Sequence, residues 1–490
     1  MTLRELLYKV PIKSVIGDIA SVKVNNIEFD SRKINESDLF IAINGSMSNG
    51  HDYISQSIEL GAKSIVLEKI PSIVIEGICY VQVESSSLAM SIIASNFYDN
   101  PSSKLKLVGV TGTNGKTTIV TFLYQIFSKL GYPTGMLSTI ENRIGLTTVK
   151  STHTTADSLQ INRMLYDMVQ AGCEYCFMEV SSHAIHQNRI SNLIFEGGVF
   201  SNITHEHLDY HKDFKEYIAV KKQFFDGLKK SAFAVTNKDD KNGRIMLSNS
   251  NARKLTYSLM NMSDYKCKIL ESRIDGMLLV IQNIEVWVNI IGQFNAYNLL
   301  AVYSTAIELG LESSEVLENI SLLSAAPGRF HSIRNSHNIT GIVDYMHTPD
   351  AYENVLSTIN HIRNNNEKLI IVFGCGGDRD SQKRSQMTSI ACNMTDQVII
   401  TADNPRTENL DSIINDMTST LDPVQKKKIL VITDRSQAIK TACALANEGD
   451  IILLAGKGHE KYQDINGHKY PFDDVKKLVE FLNIDTENVI

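Results

Sequence analysis

The sequence lacks any surplus of positive charge. Its 48 lysine and arginine residues are outnumbered by 55 aspartate and glutamate residues, which gives a formal net charge of −7. There is also no block of basic residues that could follow the phosphates of a nucleic acid. The composition therefore argues against a nucleic acid as a partner.

Long apolar segments are missing as well. No stretch of about 18 uncharged apolar residues occurs, and the first ten residues already carry charged side chains, so neither a membrane-spanning helix nor a signal peptide is predicted. We therefore expect a soluble, cytoplasmic protein that is not inserted in a membrane.

Cysteine is sparse, and its number is odd. Seven cysteines are scattered over 490 residues, which does not predict a disulfide framework. Cys173 and Cys176 form a C-x-x-C motif, but no second pair lies at zinc spacing. Because residues 175–178 have the pattern of a buried strand, we interpret both cysteines as core residues rather than as a redox or metal site.

The chain is too long for a single hydrophobic core. Residues 1–100 mix short apolar runs with polar turns and predict a small α/β domain, which either positions one end of a substrate or is purely structural. Residues 101–327 alternate apolar runs with helices, which predicts a mostly parallel sheet covered on both faces, as in P-loop ATPases. Residues 328–490 show the cleanest alternation and predict a Rossmann-like third domain. The expected fold class is therefore α/β with three domains.

The most informative stretch is a glycine-rich turn between an apolar run and a helical segment. Gly112 and Gly115 let backbone N–H groups face a polyphosphate, Lys116 supplies a positive charge, and the Thr117 hydroxyl can hold Mg²⁺. Val110 stands where the strict motif has its first glycine, with Gly109 one position away, and an ordinary strand-to-helix turn is the alternative. The residues expected to bind ATP here are Gly112, Thr113, Asn114, Gly115, Lys116, Thr117 and Thr118.

A second polar cluster follows the strands of the same domain. Glu179 ends one apolar run, and residues 204–211 contain three histidines and two acidic residues. A hard cation that bridges phosphates takes one or two carboxylates, which Glu179 can supply together with Thr117. A histidine ligand would indicate a second divalent site that tolerates Mn²⁺. The alternative is that the histidines only stabilise a turn.

Other polar segments remain ambiguous from their pattern alone. Lys221 lies on a predicted helix, where a lysine is ordinarily part of a solvated face. Residues 403–406 follow a strand and form either a helix-capping turn or a clamp in which Arg406 binds a carboxylate. Residues 456–460 lie at the same sheet edge and could also be a plain turn. Because residues 374–379 do not form G-x-G-x-x-G, NAD is disfavoured.

These motifs, in this order, resemble the Mur ligase family of peptidoglycan precursor synthesis, and the match extends over nearly the whole chain. Three local departures, at Ala156, Met346 and residues 330–331, affect loop shape and not the expected reaction. The matching segments are residues 30–32, 112–117, 154–155, 179–183, 207–211, 292–298, 327–329, 344–350, 374–379, 403–406 and 456–460.

The resemblance implies a monomeric ATP-dependent amide ligase that extends the peptide of UDP-N-acetylmuramoyl-L-alanyl-D-glutamate. It also implies that Lys116, Glu179, His207 and Lys221 are catalytic, and that CO₂ converts Lys221 to N6-carboxylysine beside the metal ions. The implied metal ligands are Thr117, Glu179, His207 and the modified Lys221. Further ATP contacts are implied for Asn298, Arg329, Asp344 and His347. The nucleotide substrate is expected at Ser31, Thr154, Thr155, Ser181, Gln187 and Arg189.

The same resemblance indicates which amino acid is added. Arg406 would pair with the distal carboxylate of meso-2,6-diaminopimelate, a group that the alternative substrate L-lysine does not have. A folylpolyglutamate-type ligase and an ATP-binding regulatory module are two further alternatives. The residues expected to contact diaminopimelate are Arg379, Asp403, Asn404, Pro405, Arg406, Gly456 and Glu460.

Overall fold

The computed structural model describes residues 1–45, 48–151, 154–204, 210–363 and 366–484. In these residues the chain forms three α/β lobes, each built on its own sheet, and a small hairpin follows the last strand of the third sheet. The mixed α/β architecture expected from the sequence is confirmed. Within the described ranges, no helix is both long enough and apolar enough to cross a bilayer.

The first lobe contains a five-stranded sheet in the order β1-β5-β4-β3-β2, with β1 antiparallel to its neighbour and the remaining pairs parallel. Helix α3 packs its mostly buried length against this lobe and against the second. The strands are β1 (Ile12–Ile16), β2 (Ile27–Glu28), β3 (Leu39–Ile41), β4 (Ser64–Leu67) and β5 (Cys79–Val83). The helices are α1 (Leu3–Leu6), α2 (Ile54–Glu59) and α3 (Ser86–Phe97).

The second lobe contains an eleven-stranded sheet in the order β16-β15-β14-β13-β12-β11-β6-β10-β7-β8-β9. The strands are β6 (Lys106–Thr111), β7 (Thr134–Leu137), β8 (Glu141–Ile144), β9 (Thr147–Lys150), β10 (Tyr175–Glu179), β11 (Gly197–Phe200), β12 (Phe233–Asn237), β13 (Arg253–Ser258), β14 (Tyr265–Arg273), β15 (Gly276–Ile281) and β16 (Ile284–Val288). The helices are α4 (Lys116–Lys129), α5 (Ser158–Gln170), α6 (Ser182–His186), α7 (Phe214–Asp226), α8 (Gly243–Met246), α9 (Gln293–Glu308) and α10 (Ser313–Ser321).

The centre of this sheet positions the phosphate loop. Strands β6, β10 and β11 are almost entirely buried apolar runs, the pattern of parallel strands covered on both faces. Their register places Glu179 opposite Val110, and Phe200 opposite Thr111. The segments that follow these strands therefore leave the sheet at one edge, where ligands of such sheets bind.

The third lobe contains a six-stranded sheet in the order β17-β18-β22-β19-β20-β21, parallel except for β17, with the hairpin β23–β24 beside it. The strands are β17 (His331–Arg334), β18 (Thr340–Asp344), β19 (Leu369–Phe373), β20 (Gln397–Ile400), β21 (Ile429–Val431), β22 (Ile451–Ala455), β23 (Tyr462–Ile465) and β24 (His468–Pro471). The helices are α11 (Pro349–Ile362), α12 (Gln382–Met394), α13 (Leu410–Thr418), α14 (Pro423–Lys426), α15 (Arg435–Leu445) and α16 (Asp474–Phe481). Asp344 and Phe373 both lie opposite Ala455, so the loops after β18, β19 and β22 share one edge.

Most predicted elements are present. The strand, loop and helix around Lys116 are confirmed, and Cys176 is a buried residue of β10 whose thiol pKa is raised by that burial. The central sheet is mostly parallel, as expected, but it ends in antiparallel strands on both sides, β8–β9 and β14–β16, that the sequence pattern did not predict.

Candidate active site

Two segments pack against the phosphate loop: the start of α9, with Asn298, and the segment after β11, with Asn202. Gly115 precedes α4 with a φ of 89°, and a Cβ at this position would lie 2.5 Å from Oδ1 of Asn298. Glycine is therefore required by both the backbone conformation and the close approach of this side chain. The Asn202 carboxamide accepts a 2.9 Å hydrogen bond from the amide of Asn114. Lys116 folds over the loop, and its ammonium donates to the carbonyls of Gly112 and Thr113 at 2.8 Å.

A carboxylate and a hydroxyl meet at the start of α4. Oγ1 of Thr117 donates to Oε1 of Glu179 at 2.9 Å, and Thr139 donates to the same carboxylate from its backbone at 2.7 Å and from its hydroxyl at 3.2 Å. Glu179 is only 1% exposed. This set of oxygen atoms at a helix N-terminus fits a hard cation such as Mg²⁺, which takes few protein ligands when it also binds phosphates. In the described residues, no group of three or more His, Cys, Asp or Glu side chains is arranged to hold a metal ion, and His207 lies outside those residues.

Lys221 is not part of a solvated face, the ordinary interpretation of a helical lysine. It is 1% exposed, and its ammonium donates a 3.0 Å hydrogen bond to the carbonyl of Gly112. The ammonium also lies 4.7 Å from the centre of the Tyr217 ring, whose hydroxyl is 3.2 Å from Oγ1 of Thr113. Helix α7 therefore brings a buried lysine directly against the phosphate loop.

A cavity of about 690 Å³ lies between the second and third lobes. Its first wall is formed by the phosphate loop from Thr113 onward, with Glu179. Its opposite wall is formed by the loops after β19, β20 and β22. The sequence-predicted residues that line it are Thr113, Asn114, Gly115, Lys116, Thr117, Thr118, Thr154, Thr155, Glu179, Ser181, Arg189, Arg329, His347, Arg379, Asp403, Asn404, Arg406, Gly456 and Glu460.

The opposite wall combines arginine with acidic groups. Arg406 has a left-handed backbone (φ 52°), and its guanidinium donates to the carbonyl of Gly377 at 2.6 Å. Nδ2 of Asn404 donates to Oε2 of Glu460 at 2.7 Å. Gly456, with a φ of 105°, passes so close to Asp403 that a Cβ would lie 2.4 Å from its carboxylate. The wall can thus bind a molecule that has both a carboxylate and an ammonium.

Arg329 connects the two walls. Its guanidinium donates to Oγ1 of Thr117 at 3.3 Å and lies 4.7 Å from the centre of the Tyr345 ring. Asp344 accepts hydrogen bonds from the amides of Phe330 and Met346, both at 2.7 Å. Burial raises the pKa of the Asp344 carboxyl, although the guanidinium acts in the opposite direction. Asp344 therefore supports the backbone around Arg329 and does not itself line the cavity.

Thr155 and Arg189 form the side of the cavity that is expected to bind the nucleotide substrate. Thr155 accepts a 3.1 Å hydrogen bond from the amide of Ser181 and donates to the Glu179 carbonyl at 2.8 Å. Arg189 lines the cavity, and it is held by Gln187, which accepts from its Nη2 at 2.6 Å. Ser31 lies away from the cavity in the first lobe, where its hydroxyl donates to Gln56 at 3.1 Å.

Several predicted residues do not line the cavity, and some lining residues were not predicted. Thr139 was missed because it follows a short strand without a recognisable motif. His183 belongs to a matched segment but was given no role, and Lys383 lies in the first turn of α12, outside the matched segments. The predicted residues that do not line the cavity are Ser31, Gly112, Gln187, Lys221, Asn298, Asp344 and Pro405.

Three family models match consecutive parts of the chain. They are described as Mur ligase family, catalytic domain (residues 23–98), Mur ligase middle domain (residues 110–306) and Mur ligase, glutamate ligase domain (residues 328–458). The chain belongs to the Mur ligase family, whose members are ATP-dependent ligases that use Mg²⁺. The family resemblance stated from the motifs is confirmed.

Relatives that match nearly the whole chain at high identity share one enzyme name. A protein of Cytophaga hutchinsonii, 53% identical over 98% of this chain and 100% of its own, is named UDP-N-acetylmuramoyl-L-alanyl-D-glutamate--2,6-diaminopimelate ligase. A protein of the same name from Bacteroides fragilis is 48% identical over 99% of this chain and 100% of its own. A solved structure whose title names that ligase superposes with a TM-score of 0.69 at 30% identity, over 99% of both chains.

Proposed function

We propose that this protein joins meso-2,6-diaminopimelate to the γ-carboxylate of D-glutamate in UDP-N-acetylmuramoyl-L-alanyl-D-glutamate, with cleavage of ATP to ADP and phosphate. The observation that carries the proposal is the cavity between the second and third lobes, which has a phosphate loop on one wall and an arginine–carboxylate cluster on the other. The names of relatives that are 48% and 53% identical support this choice of substrates.

The first step activates the carboxylate. An oxygen of the γ-carboxylate attacks the γ-phosphorus of ATP, ADP leaves, and an acyl phosphate forms. Lys116, the N–H groups of the loop and the N-terminus of α4 stabilise the negative charge that spreads over the transferred group. Arg329 approaches the same point from the third lobe, at 3.3 Å from Oγ1 of Thr117.

Thr117 and Glu179 are the described residues that would hold Mg²⁺, and His207 is proposed as a further ligand. When bound, the cation neutralises charge on the phosphates, and Mn²⁺ is expected to replace it. Thr139 keeps the Glu179 carboxylate oriented through two hydrogen bonds.

We further propose that Lys221 acts as N6-carboxylysine. The neutral amine adds to CO₂ and loses a proton, so a cation becomes an anion. The burial of Lys221 against the phosphate loop supports this role, because a free ammonium there would repel the nearby metal ion whereas a carbamate attracts it.

The second step forms the amide. The amine of diaminopimelate attacks the acyl carbon and loses a proton, and inorganic phosphate leaves with one oxygen of the original carboxylate. Arg406 and Arg379 bind the distal carboxylate, and Asp403, Asn404 and Glu460 face the distal ammonium. Enclosure between the two walls excludes water from the acyl phosphate.

The nucleotide substrate extends from this cavity toward the first lobe. Thr154, Thr155, Ser181 and Arg189 contact its peptide, Gln187 fixes Arg189, and Ser31 marks the uridine end. On the ATP side, His347 contacts the nucleotide, while Asn298 and Asp344 support the loop and the arginine. The three domains are taken as residues 1–100, 101–327 and 328–490, in a monomer that works in the cytoplasm.

A ligation assay with the purified protein tests the proposal. The protein is incubated with ATP, Mg²⁺ and the muramyl dipeptide nucleotide, together with equal concentrations of meso-diaminopimelate and L-lysine, and the products are resolved by mass spectrometry. We expect the diaminopimelate product in large excess, because lysine leaves the arginine pair without its carboxylate. Predominant lysine product, or release of phosphate without any ligated product, would contradict the proposal.

A further inference from the structure

Lys457, a residue of the matched segment 456–460 that was given no role, lies behind the wall of the cavity opposite the phosphate loop. Lys457 follows β22 between Gly456 and Gly458, and its side chain is 0% exposed. It does not line the cavity, although its neighbours Gly456 and Glu460 do. A buried lysine is costly unless its charge is compensated, so its surroundings indicate its purpose.

The surroundings of Lys457 are the groups proposed to face the substrate ammonium. Its ammonium donates to Oδ1 of Asn404 at 3.0 Å and lies 3.4 Å from Oε2 of Glu460 and 3.6 Å from Oδ1 of Asp403. The Tyr462 ring covers it with its centre at 5.8 Å. One cation thus contacts all three polar groups of this part of the wall.

These contacts also set the charge of the wall. Two carboxylates and one ammonium give the cluster of Asp403, Glu460 and Lys457 a net charge of −1. Lys457 and the backbone amide of Asp464 both donate to Oδ1 of Asn404, at 3.0 and 2.9 Å, which leaves its Nδ2 to donate to Glu460 at 2.7 Å. Without Lys457, both carboxylates would lose the cation that lies within 3.6 Å of each of them, which is an unfavourable arrangement for partly buried acids.

We propose that Lys457 is a positioning residue that matches the amino-acid pocket to the zwitterionic end of a diamino diacid. It holds the amide and both acids in place, and it cancels one of their two charges. The pocket then attracts one ammonium without repelling the carboxylate bound beside it by the arginines. This inference rests on the proposed function, since it concerns the selectivity of the same site.

The proposal predicts that the preference for diaminopimelate over L-lysine changes when the net charge of the cluster changes. Lys457→Met makes the net charge of the cluster more negative, −2, which repels the distal carboxylate of diaminopimelate more than it affects L-lysine. Glu460→Gln makes the net charge zero, and the double variant Lys457→Met/Glu460→Gln returns it to −1. The double variant should therefore recover selectivity that each single change reduces.

The test compares the KM for diaminopimelate, the KM for ATP and the preference for diaminopimelate over lysine. For Lys457→Met we expect the KM for diaminopimelate to rise about 10- to 100-fold, the range for loss of a hydrogen bond to a charged group, while the KM for ATP changes less than about threefold. The preference for diaminopimelate should fall about tenfold or more. Lys461→Met is the matched control, because Lys461 is exposed four residues further on and should behave like the wild type.

Two results would overturn the inference. One is an unchanged KM for diaminopimelate in Lys457→Met; the other is an equal rise in both KM values, which marks a purely structural role. If Lys457→Met does not fold, the charge-balanced double variant carries the test, and failure to exceed the selectivity of Glu460→Gln would count against the inference. A wild-type protein that ligates neither amino acid would instead refute the proposed function itself.

Discussion

The side chain of Asn114 in the phosphate loop donates a 2.9 Å hydrogen bond to Oδ2 of Asp350. Asp350 lies in the first turn of α11, so this bond joins the phosphate loop of the second lobe directly to the third lobe. Together with the contact between Arg329 and Thr117, it fixes the distance between the two walls of the cavity. A shift of the opposite wall would therefore also shift the phosphate loop.

This link predicts a difference between two substitutions of Asp350. Asp350→Ala removes the acceptor, and we expect the rate of ATP-dependent ligation to fall about tenfold, in line with the loss of one hydrogen bond to a charged group. Asp350→Asn keeps an acceptor oxygen and should retain activity within about threefold. Both variants lose the acidic charge at the helix N-terminus, so equal defects would show that only this charge matters.

Arg406 should determine the affinity for the amino acid and not for ATP. Arg406→Ala is expected to raise the KM for diaminopimelate about 100-fold while the KM for ATP stays nearly unchanged, because the guanidinium lies on the wall opposite the phosphate loop. Steady-state kinetics with each substrate varied in turn measure this. The control is Arg334→Ala, since Arg334 is an exposed arginine of β17 in the same lobe. A normal KM for diaminopimelate in Arg406→Ala would contradict the assignment.

Lys221 should make the reaction dependent on CO₂. Activity is expected to decline in buffer freed of CO₂ and to return when bicarbonate is added, because the carbamate forms reversibly. Lys221→Ala should lose about 100-fold or more in rate, because the metal ion that would stabilise the transition-state charge loses a ligand. The adjacent Lys222 forms a 2.6 Å ion pair with Asp226, and Lys222→Ala should remain active. Full activity of wild-type protein without CO₂ would rule out the modification.

His459 should make the protein less stable in acid. Burial, together with the nearby Arg329 guanidinium, lowers the pKa of His459 from 6.5 to about 3. Because its pKa is lower in the folded protein, its stabilising contribution is complete above pH 6.5 and is lost as the pH falls toward about 3, by at most about 1.4 kcal/mol per pH unit. Between pH 7 and pH 5, the urea midpoint of His459→Gln should fall less than that of the wild type. An equal fall of the two urea midpoints would show that His459 does not contribute to the loss of stability in acid.

The sequence predicts the parts of the site that follow directly from strand ends. Runs such as β6 and β10 are mostly apolar, so their type, their parallel pairing and the shared edge that brings Glu179 to Thr117 could all be anticipated. The antiparallel ends of the central sheet were missed because strands such as β8 and β9 are short and half-exposed, with few apolar residues.

Residues whose environment comes from distant segments could not be placed by pattern. Lys221 has the helical spacing of a surface lysine, and only the packing of α7 against the phosphate loop buries it. The left-handed backbone of Arg406 depends on the hairpin, where the amide of Arg406 donates to Asp464 and its carbonyl accepts from Asn466. Lys457 likewise acquires its partners only when the loops after β20 and β22 meet.

An oxygen-isotope experiment tests the central claim most directly. The muramyl dipeptide nucleotide is prepared with ¹⁸O in the γ-carboxylate of D-glutamate and incubated with the protein, ATP, Mg²⁺ and meso-diaminopimelate. If the carboxylate is activated as an acyl phosphate, the product is longer by one diaminopimelate residue, and each released phosphate carries one ¹⁸O atom. Phosphate without ¹⁸O, alongside the ligated product, would contradict this account.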